Sequence, residues 1–471
     1  MKRLKLHGKD LIAIGFHESR AIGIAINVMV KHHRGMKKED ALDVLKQILA
    51  EPDAFSEHEH YAPIAHALTG ADRKTADQHE LLPRKEHRIY GAEHIEQGAI
   101  QQMETAMKLP ITVAGALMPD AHQGYGLPIG GVLATENAVI PYGVGMDIGC
   151  RMSLSIFNMA PEKLEQYRAD HKRLLLEHTR FGRAVHEVRM DHPVLERAEF
   201  DTIPIVKQLK DRAWQQIGSS GSGNHFVEFG VVAITDAHNE FGLPVGEYVG
   251  LLSHSGSRGL GANIAQHYTR LAKELCKLPA EAQNLAWLSL DSAEGQEYWA
   301  AMQLAGDYAS ANHQQIHARI FKALGERPVA TVENHHNFAW KEMHGGRELI
   351  VHRKGATPAG KGVLGVIPGS MTAPGFIVRG TGKAESIASA SHGAGRTMSR
   401  TRAKATITSK EVKQMLKKHD VDLIGAGLDE APMAYKDIHT VMNSQRDLVE
   451  VMGTFTPKVV RMCGDGSPAE D

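Results

Sequence analysis

Between Ile111 and Arg151 the chain runs through short apolar stretches rich in β-branched residues, each cut by glycine or proline within a few positions. Ile111–Met118, Gly131–Ala134 and Val139–Ile140 are too short and too punctuated for helices and read as strands, as does Phe226–Thr235 further on. Helical spacing governs other segments. Ile95, Ala99, Met103, Ala106 and Met107 share one face of Ala92–Lys108, which Pro110 closes. Helices are likewise predicted at Lys37–Ala50, Ala262–Leu278, Trp299–Phe321 and Ser409–His419, the last with Ser409 as its N-cap. Strand and helix segments do not alternate regularly, and no fixed-period repeat is visible. A βα barrel and a doubly wound sheet are therefore poorly supported, and the expectation is an α+β fold, a large mixed body of sheet and helix. The N-terminal stretch differs in character, ending in the polar run Glu57-His58-Glu59-His60 and the charged segment Asp72–Glu80, which fits either a linker or a solvated helix face. With 471 residues available, the chain is divided into an N-terminal extension, 1–87, and a main domain, 88–471.

Composition narrows the partners. The 54 basic and 55 acidic residues leave a net charge of −1, so a polyanion must be held by a local patch. The three cysteines, Cys150, Cys276 and Cys463, are too scattered for a disulfide framework or a CxxC metal clip, which suits a reducing cytoplasm. No apolar run approaches the ~18 residues of a membrane span, and no apolar segment follows the basic start, so neither membrane insertion nor export is expected. What the chain holds in quantity is 28 histidines and 46 glycines, imidazoles for metal or proton and backbone able to approach a ligand closely.

The polar groups gather in glycine-bracketed clusters. In Val144-Gly145-Met146-Asp147-Ile148-Gly149-Cys150-Arg151, a carboxylate and a thiol three residues apart can converge on one cation. Gly221–Glu228, Leu252–Gly259 and Glu333–Asn337 each set a histidine among small or polar residues. Two readings of this set stand side by side: donors for one or two divalent ions, or hydrogen-bonded core histidines at 225 and 254 with a surface pair at His335-His336. In Ser389–Arg400, His392 lies among glycines and beside Arg396 and Arg400, whose charge favours a neutral imidazole. Such a ring can attack phosphorus while glycine amides and Arg396 hold phosphate oxygens; a capped helix start with an incidental histidine also fits. Basic residues from Arg353 to Lys418 form a further candidate patch for a phosphate backbone, or a solvated face. Neither a Walker A sequence nor a dinucleotide-binding glycine motif is present.

Taken in order, the stretches MPDAHQGYG, VGMDIGC, GSGNHFVE, HSGSRG, HHN, VHRKGATPA, PGSM, SHGAGR and EAPMAYKDI resemble the RtcB family of RNA ligases, from about Tyr90 to the C-terminal region. The resemblance implies a catalytic domain with a central metal cleft, two Mn²⁺ ions held by Asp147, Cys150, His225, His254 and His336, and His392 as the residue guanylated by GTP. It further implies nucleotide contacts from Asn224, His225, Glu228, His336, Asn337, Pro368, Gly369, Ser370, Met371, His392, Gly393, Ala394, Gly395 and Tyr435. The implied reaction joins RNA ends bearing a 2′,3′-cyclic phosphate or 3′-phosphate to 5′-hydroxyl ends, in tRNA splicing or RNA repair, with an archease-like activator as a partner. A diverged metal-dependent hydrolase or nucleotidyl transferase, or a non-catalytic RNA-binding paralogue, is the alternative. Three departures from the family pattern are read: no lysine follows Lys458 where the family ends in Lys-Gly; Gly375 stands where a serine is common and Arg151 follows DIGC where glycine is usual; and the N-terminal extension is lacking in family members of the usual size.

Overall fold

The computed structural model describes residues 4–16, 20–33, 35–69 and 77–467. Part of the charged 72–80 segment, 72–76, lies outside the described residues. The chain divides into two compact units, Met1–Asp77 and Gln78–Asp471. In the first, helices Arg20–His32, Lys38–Ala50 and Ala62–Thr69 enclose Leu11, Ala25, Met29, Leu45, Ile48 and Ile64.

The second unit mixes sheet and helix, as the irregular order of strand and helix signals predicts. Its largest sheet runs, in spatial order, Ala330–His335, Arg151–Phe157, Gly246–Ser255, Phe226–Ile234, Val449–Met462, Gly375–Gly380 and Leu364–Ile367. Asp422–Ile424 pairs in parallel beside Val449–Met462. The sheet curls until its outer strands meet: the Asn334 side chain accepts from Val366 N at 2.8 Å and donates to Val366 O at 3.3 Å. Because side chains alternate across a strand, one face of this curl is filled by Met152, Leu154, Leu252, Val366, Ile377 and Phe455. The other face, with Phe157, Phe229 and Leu251, packs on Ile316 and Ile320 of the Ala293–Leu324 helix. Truncating a fully buried ring such as Phe229 costs about 3–5 kcal/mol. A second sheet orders Asn337–His344, Arg347–Lys354, Ile129–Thr135, Thr112–His122 and Arg88–Ile89.

Between the large sheet and the long helix lies a buried polar ladder. His313 Nε2 donates to Ser255 O (3.0 Å), so its Nδ1 accepts from Ser253 Oγ (2.7 Å). Ser253 Oγ then accepts from His317 Nε2 (2.8 Å), whose Nδ1 accepts from Ser155 Oγ (2.9 Å). Every member has a partner, which is what makes burial of these groups tolerable.

Two sequence expectations change. The helix Ser409–Lys418 is capped by Thr408, whose hydroxyl and the Glu411 carboxylate form a reciprocal capping box. Ser409 is its first residue, since Glu411 lies three residues after Thr408, the spacing a capping box needs. The basic run divides: Arg353 is 1% exposed and pairs with Glu342, Arg379 pairs with Asp236, Glu240 and Glu450, and Arg396, Arg400 and Lys404 meet Asp429 or Glu430, whereas Arg402, Lys410, Lys413, Lys417 and Lys418 are exposed.

Candidate active site

Four neighbouring strands of the large sheet end at one mouth of the curl. Their antiparallel pairing brings Arg151 opposite both Ser255 and His335, and Phe226 opposite His254. The residues at or just beyond these ends are therefore Cys150, His336, His254 and His225, gathered from positions up to 186 apart by register alone. Cys150 Sγ lies 3.1 Å from His254 Nε2 and 3.4 Å from His225 Nε2. His254 Nε2 lies 3.2 Å from His336 Nε2, and His225 Nε2 3.1 Å from Asp147 Oδ2. All five residues are buried, which excludes the surface-pair reading of His336, while His335 beside it is half-buried.

The surroundings aim these groups. His254 Nδ1 donates to Asn224 O (3.1 Å), which turns Nε2 toward the thiol. Asp147 Oδ1 accepts from Ser257 N (3.0 Å), and a Cβ on Gly256 would collide with both oxygens of that carboxylate. Arg151 Nε donates to Gly149 O (3.1 Å) and Nη2 to Gly306 O (2.7 Å), while Nη1 pairs with Glu333. Burial pulls His254 down to about 3, helped by neighbouring His225, and pulls His336 well below the usual histidine range. Both rings are thus neutral and can offer lone pairs. Burial raises the Asp147 carboxyl, but its bond to His225 and the charge there outweigh that, so it stays ionised. Cys150, His225 and His254 place ligand atoms within 4.8 Å of one another, and Asp147 and His336 extend the group through His225 and His254. Four-coordinate ions with bonds of about 2.0–2.3 Å set their ligand atoms about 3.3–3.8 Å apart. The neutral His254 and His336 rings, with a thiol and a carboxylate at nearly that spacing, fit a divalent cation better than one another.

His392 follows the strand Ser389–Ser391, which pairs with Ala356–Pro358. Its ring centroid is 4.9 Å from that of His336. The sequence assigned no role to Asp120, the residue that sets this ring. Wholly buried, its Oδ2 accepts from His392 Nδ1 (2.7 Å), His392 N (3.1 Å) and Gly393 N (3.3 Å). Burial raises the Asp120 carboxyl, yet His392 and Lys436 outweigh it and the net shift is downward. A carboxylate only accepts, so the ring proton sits on Nδ1 and Nε2 keeps its lone pair. Gly395, at φ +70°, lies so close to Asp120 O that any Cβ would collide. Arg396 and Arg400, expected to act on His392 by charge, are engaged with Glu430 instead.

A cavity of about 150 Å³ opens between the two groups. It is lined by Asp147, Cys150, His254, His336 and His392 together with Asn224, Glu228, Asn337, Pro368, Gly369, Ser370, Met371, Gly393, Ala394, Gly395 and Tyr435. Of the residues expected from sequence only His225 stands off this lining, behind Cys150 and Asp147. Asn337 ties the two halves, donating to Asp147 O (3.3 Å) and accepting from Gly355 N (2.9 Å). Glu228 has its carboxyl pushed well above the usual range by burial. Lys354, also missed from sequence as a site residue, lines the cavity with its amine drawn down to about 7 by burial. It donates to Tyr125 O (2.6 Å) and Tyr142 O (3.2 Å).

Fold and site define an α+β protein whose candidate thiol–imidazole metal centre faces a carboxylate-steered histidine across one cleft. The family model described as tRNA-splicing ligase RtcB matches residues 102–203 and 191–462, and the chain belongs to the RtcB family. It is 34% identical over 391 residues to the RNA-splicing ligase RtcB of Escherichia coli (strain K12), covering 77% of this chain and 93% of that protein. It is 31% identical over 427 residues to the tRNA-splicing ligase RtcB of Methanococcus maripaludis, covering 75% and 89%. The RNA-splicing ligase RtcB homolog 1 of Entamoeba dispar is 31% identical over 417 residues, covering 73% and 78%.

Proposed function

We propose that this chain is an RNA ligase that joins 2′,3′-cyclic phosphate or 3′-phosphate ends to 5′-hydroxyl ends at the expense of GTP. The observation that carries the reading is the Asp120–His392 pair, which leaves a lone pair on Nε2 in the cavity lined by Cys150, His254 and His336. Family membership and the RNA-splicing names of the relatives support the same substrate class. The reaction is assigned to residues 88–471, with 1–87 as an extension, and to the cytoplasm; among the described residues no disulfide joins the cysteines and no helix is long and apolar enough to cross a membrane.

Asp147, Cys150, His225, His254 and His336 would hold two Mn²⁺ ions. When bound, these supply positive charge that neutralises phosphate oxygens. The protein's own residues do the rest. Asp120 keeps the Nδ1 proton in place while Nε2 attacks the α-phosphorus of GTP; a P–N bond forms, the bond to the β-phosphate breaks, and pyrophosphate departs. Amides of Gly393, Ala394 and Gly395, with the Pro368–Met371 loop, border the nucleotide phosphates, and Tyr435 faces the base. A cyclic phosphate end is first opened by water to a 3′-phosphate. An oxygen of that phosphate displaces His392 and takes the guanylyl group. The 5′-hydroxyl then attacks the activated 3′-phosphorus, expelling GMP and leaving a 3′,5′-phosphodiester.

The test incubates protein with Mn²⁺ and GTP labelled at the α-phosphate, with labelled ATP as control. Acid-labile protein label from GTP, absent in His392→Ala and in metal-free Cys150→Ala, is the expected outcome. No label in metal-loaded wild type would overturn the reading in favour of a hydrolase or a binding paralogue.

A further inference from the structure

The loop between the Thr112–His122 and Ile129–Thr135 strands carries Tyr125, 69% exposed. A side chain this exposed is usually on a mobile loop, yet here the backbone is tied at each step. Gln123 N donates to Glu96, Gly124 N donates to Gln102 Oε1 (3.0 Å), and Gly124 O accepts from Gln102 Nε2. Tyr125 O accepts from Lys354 Nζ at 2.6 Å. At Gly126, φ +73°, a Cβ would press on Asn284 O at 2.8 Å. The Tyr125 ring lies nearly parallel to that of Tyr142, at 14° and 6.2 Å between centroids, and Lys354 Nζ sits 4.8 Å over Tyr142. Lys354 lines the cleft with His392, whereas Tyr125 stands outside it, at the rim.

A rigidly held aromatic ring presented to solvent beside a cleft read as handling phosphate has the makings of a nucleobase platform. Every base has a π-face, so such a ring holds a strand without reading its sequence, and the fixed backbone lowers the ordering cost of binding. We propose that Tyr125 stacks against a base of the RNA strand entering the cleft, next to the end that reacts. This rests on the RNA-joining reading above. The guanine of GTP is a less suitable occupant, because the residues assigned to that nucleotide converge inside the cavity and Tyr125 does not line it.

The test uses RNA carrying 2-aminopurine next to its 3′-phosphate, whose fluorescence falls on stacking, titrated with wild-type protein, Tyr125→Ala and Tyr125→Trp. Wild type and Tyr125→Trp are expected to quench the probe, and Tyr125→Ala to bind about tenfold more weakly with the quench lost, the scale of one stacked base. Replacing the 2-aminopurine by an abasic nucleotide removes the difference between wild type and Tyr125→Ala. Labelling of His392 by GTP, and its KM for GTP, stay at wild-type values in all variants. Unchanged RNA binding and quench in Tyr125→Ala would overturn the inference, as would a shifted KM for GTP with RNA binding unmoved, which would give the ring to the guanine. Absence of GTP label in wild type would instead sink the RNA-joining reading, and the binding titration would still judge Tyr125.

Discussion

Asp120→Asn separates the shape of the His392 site from its charge. The asparagine oxygen can still accept from His392 N and Gly393 N, now 3.1 and 3.3 Å from Oδ2, so the loop keeps its backbone anchor. What disappears is the ionised acceptor 2.7 Å from His392 Nδ1. A hydrogen bond to a charged partner is worth about 1.5–3 kcal/mol, which is roughly a 10–150-fold slower formation of the proposed His392–guanylate at ~1.4 kcal/mol per tenfold. Where the amide's NH₂ meets the ring, the proton moves to Nε2 and the lone pair is lost from the cleft. Losing the orienting carboxylate of a catalytic histidine in this way costs about 10⁴ in rate. The assay is single-turnover labelling by α-labelled GTP at saturating Mn²⁺, with metal content measured in parallel. Expected is a fall of at least about tenfold with metal content unchanged. Labelling within threefold of wild type, in folded and metal-loaded protein, would refute the assignment of the Nδ1 proton to Asp120.

Three further outcomes are expected. Gly256→Ala drives a methyl into the Asp147 carboxylate; equilibrium dialysis should show the 10–100-fold loss of metal affinity typical of a disturbed ligand support, with circular dichroism little changed. Arg151→Met removes one partner of a buried pair with Glu333 and frees Gly149 O and Gly306 O; urea denaturation should show about 3–5 kcal/mol lost. Lys354 titrates near 7 in the fold rather than 10.5, so the unfolded chain binds the extra proton between those values and stability contributed at this site rises with pH across that window. Well below pH 7 both states are protonated and the penalty is complete; at pH 7 and at pH 10.5 one state is half titrated, so Lys354→Met should gain on wild type at pH 7 by about 4 kcal/mol relative to its standing at pH 10.5, at ~1.4 kcal/mol per unit. Parallel denaturation curves at the two pH values would contradict this.

Period and punctuation made the elements legible. Phe226–Thr235 is observed as Phe226–Ile234, and Lys37–Ala50 as Lys38–Ala50, because an alternating or one-faced apolar pattern is a local signal. The helices expected at Ala262–Leu278 and Trp299–Phe321 run Arg258–Leu275 and Ala293–Leu324, since helix ends are set by caps such as Ser292 that interrupt no pattern. Glycine and histidine marked the candidate stretches, and the family resemblance picked out within them residues that the fold brings to one cavity. Asp120 was not legible, because its meaning is a contact with His392, 272 positions away. The basic run was legible only in part for a related reason: charge counted along the chain is not charge in space, and Glu342, Asp236, Glu240, Asp429 and Glu430 fold back onto Arg353, Arg379 and Arg400 from outside the counted window, while Lys410, Lys413, Lys417 and Lys418 stay exposed.

The strand Gly246–Ser255 turns His254 to the cleft while Ser253 and Ser255 hold His313 and His317 on its reverse face. That two-sidedness has a kinetic consequence. A strand slipped by one position presents serines to the thiol and drives an imidazole into the long helix, so it fails on both faces at once. The candidate ligands are spread from Asp147 to His336 and meet only when four strands pair in register, a slow, non-local event. A metal needing all of these ligands is expected to bind only after the strands have paired, so a stopped-flow metal signal should time the arrival of the native sheet, and uptake ahead of strand pairing would contradict this.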